Sequence, residues 1–221
     1  MVTAVLFDLD GTLAHTDPIH YQVWAELLEN HGITLTPHFY QHHISGRQNR
    51  CLMADLFPHW ALEEVDRFAH QKEALFRQRA QQLQPLPGAL AFLQRIHSQG
   101  WGCALVTNAP RANTEFMVEI LGLGPWLALI ILGEEAPAPK PDPAPYQLAL
   151  ERLGVTADQA IAFEDSLPGI RAATGAGIPT IGLTTSHSPQ DLRAMGAIAA
   201  IEDFEQVAKL AEFTDLFEGT L

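Results

Sequence analysis

Thr3-Ala4-Val5-Leu6-Phe7-Asp8-Leu9-Asp10-Gly11-Thr12-Leu13 opens the chain with an apolar run that ends in two carboxylates and a glycine. Apolar residues at successive positions mark a strand buried on both faces, as in a parallel sheet. A strand is therefore expected over residues 3–8. Gly11 allows a sharp backbone turn after it, and Thr12 can satisfy hydrogen bonds within that turn. Carboxylates two residues apart at the exit of a strand place a nucleophile and a proton donor on one loop. Asp8 is read as the nucleophile and Asp10 as the general acid and base.

Working outward, residues 14–84 carry no convincing strand. Asp17-Pro18 reads as an N-cap and first helical position. Ile19, Val23 and Leu27 follow at near-helical spacing, and His31-Gly32 supplies the stop. Further helices fit 37–43, 49–57 and 61–82; the last bears the apolar stripe Leu62, Val65, Phe68-Ala69, Leu75-Phe76. After Pro85-Leu86-Pro87-Gly88 the pattern changes. Helices over 89–99, 112–121, 144–153 and 167–176 alternate with strands over 102–107, 129–132, 160–164, 179–183 and 198–201. Such alternation predicts an α/β fold, a doubly wound parallel sheet of the Rossmann-like kind, with an all-helical insertion. The expected division is 1–13 and 85–221 for the α/β core and 14–84 for the helical domain.

Open parallel sheets bind ligands outside the carboxyl ends of their strands. Asp8, Asp10, Thr107, Lys140, Glu164 and Asp165 all fall at or just after such ends. The Thr107 hydroxyl and the backbone N–H groups of Asn108 and Ala109 suit phosphate oxygens at a strand-to-helix turn. Lys140, set in Pro139-Lys140-Pro141-Asp142-Pro143, can offset charge on Asp8 and on a transferring phosphoryl group. Two carboxylates about 4 Å apart repel by roughly 4 kcal/mol at an effective dielectric of 20. Four such groups on one rim call for a cation, and Mg²⁺, a hard ion that prefers oxygen, fits them.

Composition narrows the partners. A net charge of −13 over 221 residues argues against nucleic acid or an anionic membrane surface. A phosphorylated substrate must then be drawn in locally, by a metal and a few placed cations. The longest apolar run, 126–132, is too short to span a bilayer, and no signal-peptide pattern opens the chain. Cys51 and Cys103 lie far apart without a CxxC pattern and read as reduced thiols of a cytoplasmic protein. A monomer or weak dimer is expected. The ten histidines are not read as a metal site, since the adjacent His42 and His43 point differently on a helix.

Taken together, the Asp8–Thr12 run, Thr107-Asn108, Lys140 with its prolines and Glu164-Asp165 resemble the haloacid dehalogenase-like superfamily, in its phosphatase and beta-phosphoglucomutase branch. The resemblance covers nearly the whole chain. It implies that the insertion is a helical cap closing over the site. It implies that Asp8, Asp165 and the backbone carbonyl of Asp10 hold Mg²⁺, with Glu164 binding directly or through water. It implies phosphoryl transfer, since the dehalogenase branch lacks the second aspartate. Within the cap, Thr16, His20 and Trp24 match positions of that branch. Gly46-Arg47 resembles the loop whose basic residue meets the distal part of the substrate, and Lys72 sits where the branch often carries a cap lysine. His20, Arg47 and Lys72 are the substrate contacts this implies. The activity implied is hydrolysis of a small phosphorylated metabolite, a sugar or polyol phosphate, through an aspartyl-phosphate. The alternative is a phosphosugar mutase. Thr12 after Gly11 is typical of the phosphatases, and Ser45 stands where the mutases carry a cap lysine.

Overall fold

The structure, a computed structural model, describes residues 2–209; residues 210–221, counted above with the core, lie outside the described residues. The opening run forms β1 (Ala4–Phe7), followed by four helices, α1 (Asp17–Glu29), α2 (Pro37–His43), α3 (Asn49–Leu56) and α4 (Leu62–Arg79). Then come α5 (Ala89–Ser98), β2 (Gly102–Thr107), α6 (Arg111–Ile120), β3 (Leu129–Leu132), α7 (Ala144–Leu153) and β4 (Ala160–Glu164). The described chain ends with α8 (Leu167–Gly175), β5 (Thr180–Leu183), α9 (Pro189–Ala194), β6 (Ala199–Ile201) and a 3₁₀ turn at Phe204–Lys209.

The six strands form one parallel sheet in the order β3-β2-β1-β4-β5-β6. Strand order reverses at β1, so the crevice that parallel sheets offer to ligands opens beside Asp8. Period-two alternation divides β1 between two cores. Val5 and Phe7 enter a cluster with Phe92, Phe163 and Phe204, whereas Ala4 and Leu6 meet Ala104, Ala160, Ala162 and Tyr146 on the opposite face. On the first face Phe7 stacks on Phe163 with centroids 5.3 Å apart. The alanines of the second face let α7 and α8 approach the sheet closely.

The helices between β1 and α5 have a cluster of their own, built from Val23, Trp24, Leu27, Leu52, Met53, Val65 and Phe68 among others. The last turns of α4 depart from it: Phe76 and Ala80 are buried in the sheet's aromatic cluster.

Several elements differ from expectation. The N-cap position of α1 is Thr16, without a side-chain cap bond, and Asp17 is already helical. The Asp17 carboxylate is engaged elsewhere, by the hydroxyls of Tyr40, Ser45 and Ser186. Helix α4 stops at Arg79 rather than 82, and α6 starts at Arg111, one residue early. Helix α9, six residues capped by Ser188 onto the Asp191 N–H at 3.2 Å, is too short to show a periodic pattern. Cys51 is exposed and Cys103 buried, both free; burial pushes the Cys103 thiol up to about 12. Among the described residues no helix is long and apolar enough to cross a membrane.

Candidate active site

Each exit from the central strands delivers a polar side chain to one crevice. β1 delivers Asp8 and Asp10, β2 delivers Thr107, and β4 ends on Glu164 with Asp165 next. One carboxylate oxygen from each of Asp8, Glu164 and Asp165 lies within 4.8 Å of the others. All three side chains are buried. Gly11, at φ +76, admits no side chain here, because a Cβ would collide with the Asp165 carboxylate.

Lys140 is the ammonium group of this cluster. Its Nζ donates to Asp8 Oδ1 at 2.7 Å and to Glu164 Oε1 at 2.5 Å. Burial opposes its charge, but Asp8 and Glu164 outweigh burial and hold the lysine above its ordinary value. Glu164, fully buried, also accepts from the Tyr146 hydroxyl at 3.0 Å, from Ser166 Oγ at 3.1 Å and from the Asp165 N–H at 3.2 Å. Its carboxylate therefore works first as the anchor of the lysine and of the turn into α8. Gly169 in that helix is required for the same reason, since a Cβ there would overlap Glu164.

The charges do not close. Burial pushes the Asp8 carboxyl well above its ordinary range, and Glu164 adds to the rise while Lys140 offsets part of it. Asp165 is likewise pushed well up by burial and by Asp8, Glu164 and Asp17. Three buried carboxylates against one ammonium are the donor set of a hard divalent cation that keeps some of its waters. Asp8 and Asp165 have the oxygens and the charge to hold it, with Glu164 beside them, so the residues fit Mg²⁺.

Asp10 stands apart from the trio. Burial alone would raise its pKa, but the His20 hydrogen bond, Nε2 to Oδ1 at 3.1 Å, and the charge of His20 lower it. His20 stacks flat on Phe76 with centroids 4.0 Å apart, so the cavity wall fixes the ring that meets Asp10.

The remaining sequence-predicted residues divide. Thr107 is buried, and its Oγ1 accepts from the Ala109 N–H at 3.0 Å. That N–H is thus directed at the threonine, a use the phosphate reading of Ala109 did not foresee. Asn108 ties two loops together: Nδ2 donates to the Lys140 carbonyl at 3.1 Å and to the Gly46 carbonyl at 3.2 Å. Oδ1 accepts from the Lys140 N–H at 3.2 Å. Arg47 lines the cavity but pairs with Asp55 at 2.6 Å. Lys72 is buried, with Nζ on Glu73 Oε1 at 2.9 Å and 5.5 Å from the Trp24 ring. Glu73 is completed by the side chains of Asn49 and Asn113, each at 2.5 Å. Its carboxyl stays below its ordinary value because Lys72, His20 and Asn49 overcome burial.

Three residues were missed altogether. Thr185, Ser186 and His187 follow β5, and each touches the acid loops. Thr185 Oγ1 donates to the Gly11 carbonyl at 2.5 Å, Ser186 Oγ lies 2.7 Å from Asp165 Oδ2, and His187 Nδ1 lies 3.2 Å from the Asp165 carbonyl. A short polar run after a strand has no pattern that distinguishes it from a solvated loop. The one usable signal was its place at a strand's carboxyl end.

Between rim and insertion lies a cavity of about 1060 Å³. Six of the chain's thirteen Lys and Arg residues line it: Arg47, Arg50, Lys72, Arg77, Arg111 and Lys140. Seven acids, Asp66, Glu73 and Glu134 among them, line it as well, so the lining is near charge balance in a chain of net charge −13.

Comparison with known proteins agrees with this geometry. A family model of haloacid dehalogenase-like hydrolases matches residues 2–177. The chain is 31% identical over 217 residues to a phosphorylated carbohydrates phosphatase of Thermotoga maritima, covering 95% of this chain and 98% of that one. It is 30% identical over 213 residues to a phosphoglycolate phosphatase of Rhodospirillum rubrum, covering 92% and 88%. Among solved structures, a mutant of CbbY from Rhodobacter sphaeroides in complex with xylulose-(1,5)bisphosphate superposes with a TM-score of 0.81. That structure is 25% identical over 94% of this chain and 96% of its own.

Proposed function

The chain belongs to the haloacid dehalogenase-like hydrolases, and from that premise we propose that it is a Mg²⁺-dependent phosphatase that hydrolyses a small phosphomonoester, a sugar or polyol phosphate, through an aspartyl-phosphate on Asp8. The observation that carries this reading is the buried trio Asp8, Glu164 and Asp165, of which Asp8 and Glu164 pair with the ammonium of Lys140. Asp8 and Asp165, with the Asp10 carbonyl, would hold the ion. Bound Mg²⁺ supplies positive charge that offsets the buried acids and screens the approach of an anionic phosphate.

The chain's own groups account for the two displacements. The Asp8 carboxylate attacks phosphorus, and the bond from phosphorus to the ester oxygen breaks. The departing alkoxide takes a proton from Asp10, whose carboxyl is positioned by His20 Nε2 at 3.1 Å. In the second displacement Asp10, again a carboxylate, accepts a proton from the attacking water, which frees phosphate and restores Asp8. Lys140 keeps Asp8 oriented throughout and meets the charge that builds on the phosphoryl oxygens. The Thr107 hydroxyl and the Asn108 N–H serve the same oxygens.

The cavity bears on the substrate. Its volume of about 1060 Å³ exceeds what a two-carbon phosphate would fill and suits a sugar chain or ring. Arg47 and Lys72, together with Arg50 and Arg77, face it from residues 14–84, which act as the cap over a core of 1–13 and 85–221. Closure of that cap would exclude bulk water during the first displacement and admit one positioned water for the second.

The test is a panel of sugar, polyol and two-carbon phosphates assayed for inorganic phosphate release with Mg²⁺ and then with EDTA. A sugar or polyol phosphate is expected to give the highest kcat/KM, with EDTA abolishing turnover and Mg²⁺ restoring it. Phosphoglycolate as best substrate would overturn the substrate assignment. Isomerisation of a phosphosugar without phosphate release would replace the phosphatase with a mutase.

A further inference from the structure

We infer that Ser186 is a positioning residue for the metal-binding carboxylate Asp165, and that Asp17 of the helical insertion holds Ser186 in that role. The inference rests on the Mg²⁺ reading above and goes beyond it to a loop that no strand-end motif covers.

The geometry is a chain of hydrogen bonds that crosses from the insertion to the rim. At one end the Asp17 carboxylate receives the Tyr40 hydroxyl at 2.8 Å and lies 3.4 Å from Ser45 Oγ. In the middle Ser186 Oγ lies 2.6 Å from Asp17 Oδ2 and 2.7 Å from Asp165 Oδ2. At the far end Thr12 Oγ1 donates to the other oxygen of Asp165 at 3.2 Å. The insertion also grips the backbone of Ser186, because the Gln41 side chain donates to its carbonyl. Both ends of this residue are therefore placed by α1 and α2, while its hydroxyl faces an acid of the cation site. A hydroxyl has one hydrogen, so which acid it serves depends on where those helices hold it.

Partners that orient a ligating carboxylate are worth about 10- to 100-fold in metal affinity. The experiment measures Mg²⁺ binding to the full chain by calorimetry, without substrate, in the unsubstituted protein, Ser186→Ala, Asp17→Ala and the double variant. Metal-free melting is recorded alongside. Ser186→Ala is expected to raise the Kd for Mg²⁺ by about tenfold or more, and Asp17→Ala by less. The double variant is expected to lose less than the product of the two single losses, because the hydrogen-bonded route from Asp17 to Asp165 runs through Ser186. Should the alanine variant melt too early to titrate, Ser186→Cys keeps the volume with a much weaker donor and is expected to give the same order. A purely structural serine would lower metal-free melting and leave the Kd unmoved, which would overturn the inference. Losses that multiply in the double variant would overturn the role of Asp17. An unsubstituted chain that binds no Mg²⁺ would overturn the proposed function as well, whereas intact binding in Ser186→Ala would overturn this inference alone.

Discussion

Two buried groups of charged side chains face the same cavity and treat burial in opposite ways. In the insertion, Lys72 and Glu73 pair one to one at 2.9 Å, and two asparagines complete the carboxylate. On the rim, Lys140 pairs with Asp8 and Glu164, while Asp165 beside them meets the hydroxyls of Thr12 and Ser186. The first group is electrically closed, and Glu73 is held below its ordinary pKa. The second is open, and Asp8 and Asp165 are driven well above theirs. A closed pair shapes the wall; an open set of acids is a place for a cation. Burial is common to both, so burial alone does not mark the chemistry, whereas the balance of charge does.

The largest effect expected from breaking this contrast is on turnover. Asp8→Asn removes the nucleophile and should reduce phosphate release by roughly 10⁴-fold or more. Its metal-free melting temperature should be unchanged or higher, since one of three like charges has gone. Retained turnover would remove the aspartyl-phosphate from the mechanism. Next in size, Glu73→Gln leaves buried Lys72 without its counter-charge and should cost about 3 kcal/mol of stability in urea titration. A neutral outcome would mean that the asparagines, not the ion pair, hold that wall.

The smallest effect is on the pH dependence of metal-free stability, and its sign differs between the two groups. Asp165 binds its proton more tightly folded than unfolded, so its contribution falls as pH rises from its ordinary 3.8 through the raised value. Glu73 binds its proton less tightly folded, so its contribution is present above its ordinary 4.5 and is lost as pH falls through the lowered value. Melting curves of Asp165→Asn and Glu73→Gln, each subtracted from the unsubstituted protein across acid pH, should slope in opposite directions. Parallel slopes would mean that the two clusters are electrically alike.

The elements that could be read in advance were those with a simple physical signature. β2, β3, α7 and β4 fall on the expected residues because these parallel strands are apolar runs and α7 is bracketed by prolines and Gly154. The meeting of Asp8 with Asp165 followed from strand ends, which parallel topology brings together. What escaped was set by side chains that meet across long separations. Asp17 looked like a helix cap because local spacing cannot show the hydroxyls of Tyr40 and Ser186 converging on it. Lys72 reads from sequence as a cap lysine for substrate, because nothing in Lys72-Glu73 announces a buried pair completed from α3 and α6. The turn after β2 was read as a row of open donors, although Thr107 had already claimed the Ala109 N–H.

Phe76 belongs by sequence to the insertion and by contact to the sheet, where it is fully buried. Cutting residues 14–84 from this chain and closing the gap with a short linker would therefore leave a hole on the aromatic side of the sheet. Loss of a buried phenylalanine costs about 3–5 kcal/mol, a large share of what keeps a domain folded. The same ring is the floor under His20. Any replacement insertion grafted onto this sheet must bring an aromatic plug at that depth, or the transplant will loosen the host together with the imidazole that serves its acid.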